Sequence, residues 1–147
     1  MNMHANCKVS RVMNAVAAGT TDQNSASVDM ADFEGVIFLA AFGTLTATQV
    51  TSLKAQQSSD DGSSDAFADL EGTSVGPLAD ADGNKMLALD VYRPRERYVR
   101  ATIDRGTANA VIDGIVAIQY GARKAPVTHS TTVSASEVSV SPAEGTA

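Results

Sequence analysis

The stretch Asp90 to Arg123, DVYRPRERYVRATIDRGTANAVIDGIVAIQYGAR, decides how this chain is read. It sets strand patterns around an arginine cluster and contains no recognisable catalytic constellation. At its far end, Val111 to Tyr120 alternates Ile112, Gly114, Val116, Ile118 and Tyr120 against Val111, Ile115 and Ala117, the two-residue period of a β-strand. Both faces of that strand are apolar over much of its length. At the near end, Met86 to Tyr92 points Leu87, Leu89 and Val91 one way and Ala88, Asp90 and Tyr92 the other. Pro94 cannot donate a ladder hydrogen bond, so it belongs to a turn or edge before a strand from Tyr98 to Asp104. Arg105-Gly106-Thr107 is the next turn.

Upstream, strand signals continue between clear turn residues. Lys8 to Ala17 alternates as one strand. Phe33 to Phe42, FEGVIFLAAF, is apolar at nearly every position after Gly35, should be the most deeply buried strand, and is ended by Gly43. Thr51 to Ser58 fits a strand better than a helix because of its threonine-rich approach. Asp60 to Ser64 reads as a hairpin loop leading to a short strand over Phe67 to Glu71, and Asp80 to Asn84 as another turn. Short strands at spacings of roughly ten residues predict an all-β fold: an antiparallel β-sandwich, jelly-roll-like, with extended terminal arms. The expected division is an N-terminal arm over 1–7, the sandwich over 8–125, and a C-terminal arm or edge strand over 126–147. One face of such a sandwich normally meets water. Strands apolar on both faces therefore need a cover, and with so little helical sequence a neighbouring subunit is the expected one.

Composition agrees with a single core. At 147 residues the chain suits one domain. Apolar residues make up 44%, yet aromatics are only 5% and Trp is absent, which favours closely packed sheets over a bulky interior. The formal net charge is −6 and uneven: Asp22 to Asp90 holds 12 acids against Lys54 and Lys85, while Arg93 to Arg105 holds five arginines. An acidic body with a short basic edge suits complementarity between proteins, including copies of itself. It does not suit nucleic acid, which calls for a broad basic face. Cys7 is the only cysteine, so no disulfide within the chain and no Cys-rich zinc site is possible. No run reaches the length of a spanning helix, and the expectation is a soluble protein made in a reducing cytoplasm, with no membrane partner.

Candidate chemistry is sparse. Asp60, Asp61 and Asp65, or Asp80, Asp82 and Asn84, could offer oxygens to calcium, but their spacing does not match an EF-hand and hairpin turns explain Asp-Gly equally well. His4 and His129 stand near opposite termini, so a Cys-His or Ser-His-Asp arrangement would need the ends brought together. No GxGxxG or Walker pattern occurs. No catalytic residue, cofactor or metal is assigned, and the chain is not expected to be an enzyme. The polar candidates are Arg93, Arg95, Arg97 and Arg100, flanked by Tyr92 and Tyr98. If the chain runs extended here, Arg93, Arg95 and Arg97 project to one side as planar forks suited to a partner's carboxylates. The same residues also fit a solvated turn with weak surface pairs. Tyr and Arg enrichment at interfaces favours the first.

The strings SASVDMADFEGVIFLAAFGTLTA, SLKAQQSSDDGSSDAFADLEGT, LDVYRPRERYVRATIDRGTANAVIDGIVAIQYGARKAP and the terminal SPAEGTA resemble a family of small structural proteins of tailed bacteriophages and prophages. The likeness runs from about Met13 onward and brings no catalytic motif. It implies a virion component resembling head decoration, or cement, proteins. Such a protein would sit on the outer capsid surface as a homo-oligomer, a trimer, clamping major capsid protein subunits, with arms reaching neighbours. Two other readings remain open: a neck or tail connector or terminator subunit in a ring, and a carbohydrate-binding or adhesin-like sandwich module.

Overall fold

In the computed structural model, which describes residues 2–146, the chain is a sandwich of two antiparallel sheets. A single helical turn, α1 (Met3–Asn6), precedes β1 (Lys8–Met13), β2 (Val16–Gly19), β3 (Gln23–Asn24), β4 (Val28–Asp29) and β5 (Gly35–Leu45). There follow β6 (Val50–Ser58), β7 (Ala68–Asp69), β8 (Met86–Tyr92), β9 (Tyr98–Gly106) and β10 (Ala110–Tyr120). One sheet has the order β1-β10-β5-β8, with β2 also on β10, and the other the order β3-β9-β6-β7, with β4 also on β9. Successive long strands β8, β9 and β10 alternate between sheets, so the turns at Pro94 and Gly106 cross the sandwich rather than closing hairpins. The expected hairpin at Asp60 to Ser64 is present, with Gln56 opposite Asp69.

The interior is made by alternation. Val36, Phe38, Ala40 and Phe42 of β5 meet Leu53 and Ala55 of β6, Val99, Ala101 and Ile103 of β9, and Ile112, Ile115 and Ala117 of β10 in one core. Four alanines at inward positions let the two backbones approach, and the phenylalanines fill what remains, which is how a Trp-free chain reaches interior density. Leu89 and Val91 of β8 are buried and Leu87 packs on the core, as their alternation predicts.

Several strand details depart from the sequence reading. The expected strand over Lys8 to Ala17 breaks at Asn14-Ala15 into β1 and β2. Gly43 does not end β5; it lies under Val111 and Asp113, whose side chains a Cβ there would meet at 3.1 Å. The faces of β10 also differ. Gly114 sits at φ +137°, where the ladder to β5 shifts register between Ile112 and Gly114. This bulge inserts one residue and restarts the alternation. Ile112 therefore points inward with Ile115 and Ala117, not outward with Val116 and Ile118.

The N-terminal segment is docked: Cys7 is buried, and the Val127 amide donates to the Ala5 carbonyl. Beyond Tyr120 the described chain forms no strand, and part of it lines the β1 edge, where Ser130 N–H donates to the Val9 carbonyl and Thr132 Oγ1 accepts from Arg11 N–H. Met1 and Ala147, the ends of the two expected arms, lie outside the described residues.

Candidate functional site: an arginine-lined cleft

At one end of the sandwich, three segments close on one another. The Arg93 amide donates to the Glu34 carbonyl at 2.7 Å, the Met30 amide to the Arg97 carbonyl at 2.8 Å, and the Arg123 amide to the Asp32 carbonyl at 2.9 Å. The β4–β5 link is thereby laced to the β8–β9 turn and to the chain leaving β10. Gln119, inward on β10, fixes the base by donating Nε2 to the Asp29 carbonyl at 2.7 Å. Between these segments lies an open cleft of about 540 Å³, with Met30 and Phe33 as apolar lining and Arg93, Arg95, Arg97 and Arg123 around it. Glu34 and Glu96 also line it.

The arginines are not equivalent. Arg97 is locked: Nε and Nη2 donate to the two carboxylate oxygens of Asp29 at 2.9 and 2.7 Å, and its guanidinium lies 5.2 Å from the Tyr98 ring centre. This fork holds the Asp29 carboxyl below its ordinary pKa, helped by the Ala31 amide and opposed by burial. Arg93 stacks 5.0 Å over Tyr92 and stands 3.9 Å from Glu34, a loose contact in water. Arg95 and Arg123 make no side-chain hydrogen bond and no ion pair among the described residues. They are the cations left to meet a ligand.

The extended row expected for Arg93, Arg95 and Arg97 is not formed. Arg93 has φ +52°, and residues 93–97 make a turn that carries the chain from one sheet to the other. The turn still gathers all three on the cleft, because it curls around it. Arg100 is separated from them on the outer face of the β6–β9 sheet, where Nε donates to Gln56 Oε1 at 2.8 Å and the guanidinium stacks 4.2 Å over Phe67. Arg123 and Phe33 were not singled out from the sequence. Arg123 is 18 residues beyond Arg105 and only the fold returns it to the cluster; the apolar Phe33 beside Glu34 read as the start of a core strand.

The other candidates resolve as structure. Asp60 accepts from the amides of Ser63, Ser64 and Asp65, so the acidic loop uses its carboxylate to hold its own turn. The termini do come together: the His4 and His129 rings meet edge to face at 4.9 Å, and His4 Nε2 lies 3.1 Å from Ser136 Oγ. Among the described residues no carboxylate lines the hollow around these two rings, so His4, His129 and Ser136 are without the acid of a hydrolytic triad. Among the described residues no three His, Cys, Asp or Glu side chains are placed to hold a metal, and no helix is long and apolar enough to cross a membrane.

No family model matches this chain, and no curated protein matches it significantly. A solved structure described as a xylan-binding module CBM15 is similar at a TM-score of 0.39 and 12% identity, over 84% of this chain and 96% of that one. A likeness of that depth says nothing about this chain's ligand.

Proposed function

We propose that this protein is a non-catalytic structural module that associates with copies of itself and grips carboxylates of a partner protein in the arginine-lined cleft. The observation that carries the reading is the pair Arg95 and Arg123, cationic forks on an open cleft with apolar residues beside them and no side-chain hydrogen-bond or ion-pair partner among the described residues. A guanidinium in that setting recognises a planar carboxylate better than a solvated ammonium would. The resemblance of the sequence to phage structural proteins supplies the finer identity: a decoration protein on the outer head surface whose partner is the major capsid protein.

The test is occupancy of particles by Arg95→Glu with Arg123→Glu. Reduced copy number on purified capsids, with an unchanged unfolding midpoint of the free protein, is the expected result; full occupancy would remove the cleft from attachment. Counting copies and locating them by electron cryo-microscopy separates the head surface, with hundreds of copies, from a connector, with one ring at one vertex.

A second reading, a carbohydrate-binding module, is favoured by the outer face of the β6–β9 sheet, where Lys54, Asp69, Gln56 and Arg100 form a hydrogen-bonded row beside Phe67. Those groups already satisfy one another, so a sugar would have to displace them. Retardation in polysaccharide-containing gels, abolished by Gln56→Ala, would favour this reading over the first.

A further inference from the structure

We propose that two copies of this chain pair through the outer face of the β1-β10-β5-β8 sheet about a two-fold axis parallel to the strands. The inference rests on the reading of the protein as a self-associating module and names the surface and the symmetry. The two outer faces of the sandwich are unlike. On the β6–β9 sheet, Lys54 bonds Asp69 at 3.0 Å and reaches Asp104 at 3.3 Å, and Thr102 bonds Asn24 at 2.7 Å, so that face is polar and self-satisfied. On the other sheet the registered rows are aliphatic. One row across the sheet runs Val9, Ile118, Ile37, Asp90, and the next runs Arg11, Val116, Leu39, Ala88. Ile37, Leu39, Val116 and Ile118 remain partly exposed and do not join the core.

The two edge strands of this face carry opposite charges. Arg11 stands on the β1 edge, exposed and without an ion pair among the described residues. Asp90 stands on the β8 edge, where it accepts from the Tyr120 hydroxyl at 2.6 Å and keeps its second oxygen for another donor. The remaining outward carboxylate, Asp113, lies at the far end beside Gly43. A two-fold axis along the strands lays β1 of one copy over β8 of the other and β10 over β5. The aliphatic rows then meet each other, and Arg11 comes over the edge that carries Asp90, one pleat repeat of about 6.7 Å away along the strand. An axis across the strands would lay basic edge on basic edge and acidic edge on acidic edge, which like charges disfavour. Such a contact is isologous and closes at two copies.

The experiment is light-scattering mass on the full chain at micromolar concentration, with the expected value twice the 15.2 kDa of one chain. Leu39→Lys places a cation in the middle of the face and should give a monomer with unchanged far-UV dichroism. Arg11→Glu and Asp90→Lys should each weaken the dimer about tenfold, since the two-fold axis makes each change alter two surface charge contacts, and the two together should restore it. Within one chain these residues stand three strand spacings and one pleat repeat apart, about 16 Å, so recovery in the double variant reports a contact between copies. A mass of one chain, a mass of three as the resemblance implies, a dimer that survives Leu39→Lys, or a double variant no tighter than the singles would each overturn the pairing. A monomer whose cleft still binds capsid would overturn the pairing and leave the proposed attachment standing. A dimer that fails to bind capsid would do the reverse.

Discussion

Arg105 illustrates how far a side chain's role can lie from its sequence context. Beside Gly106-Thr107 it reads as part of a turn and of a basic edge. In the fold it is the next-to-last residue of β9, is buried, and donates Nε to the Thr21 carbonyl at 2.8 Å and Nη1 to the Ala17 and Ala110 carbonyls at 3.1 and 2.8 Å. Burial pushes its pKa down, against the attraction of Asp22, whose carboxylate takes the Arg105 amide. Thr51 shows the opposite balance. It is fully buried on β6, and its hydroxyl has no partner among the described residues. Thr51→Val keeps the shape and removes the unpaired polar atom, so it should stabilise the fold by about 1 kcal/mol. A lower urea midpoint for that variant would show that the hydroxyl is satisfied by water.

In β10, one glycine controls which face of the strand meets the core. A strict two-residue period assigns Ile112 to the same face as Val116, and residue types do not betray the error because both are β-branched and apolar. Gly114 resolves it: φ is +137°, and an added Cβ would sit 2.8 Å from the Met13 carbonyl oxygen. Gly114→Ala is therefore expected to cost about 1 to 3 kcal/mol through backbone strain and to loosen β1 and β5 together, since β10 pairs with both. Hydrogen exchange would show it as faster exchange in both neighbours; protection lost only at the ends of β10 would contradict the bulge's role. β3 and β4, two residues each, carry no period a sequence could display and exist because β9 offers them an edge.

Taken together, the carboxylates are expected to make the fold acid-sensitive. Asp29, Asp60, Asp69 and Asp82 all titrate below their ordinary value, through Arg97, the loop amides led by Ser64, Gln56 with Lys54, and Lys85 respectively. A carboxyl depressed by folding contributes stability above its unfolded pKa, near 3.9, and that contribution is lost as pH falls through the folded value. The urea midpoint should hold between pH 7 and 5 and drop below about pH 4; an unchanged midpoint at pH 3 would mean these contacts persist unfolded or contribute nothing. The all-β class, the long strands and most of their inward faces were legible in the residues, because alternation and turn chemistry are local properties of a chain. So were the arginines as candidates, by their density between Tyr92 and Arg100. Which of them remain free, that Arg123 and Phe33 join them, and that one outer face is aliphatic while the other is polar depend on pairing between distant strands and on a bulge. Those are decided by where the chain folds back on itself, where neighbours in space are not neighbours in sequence.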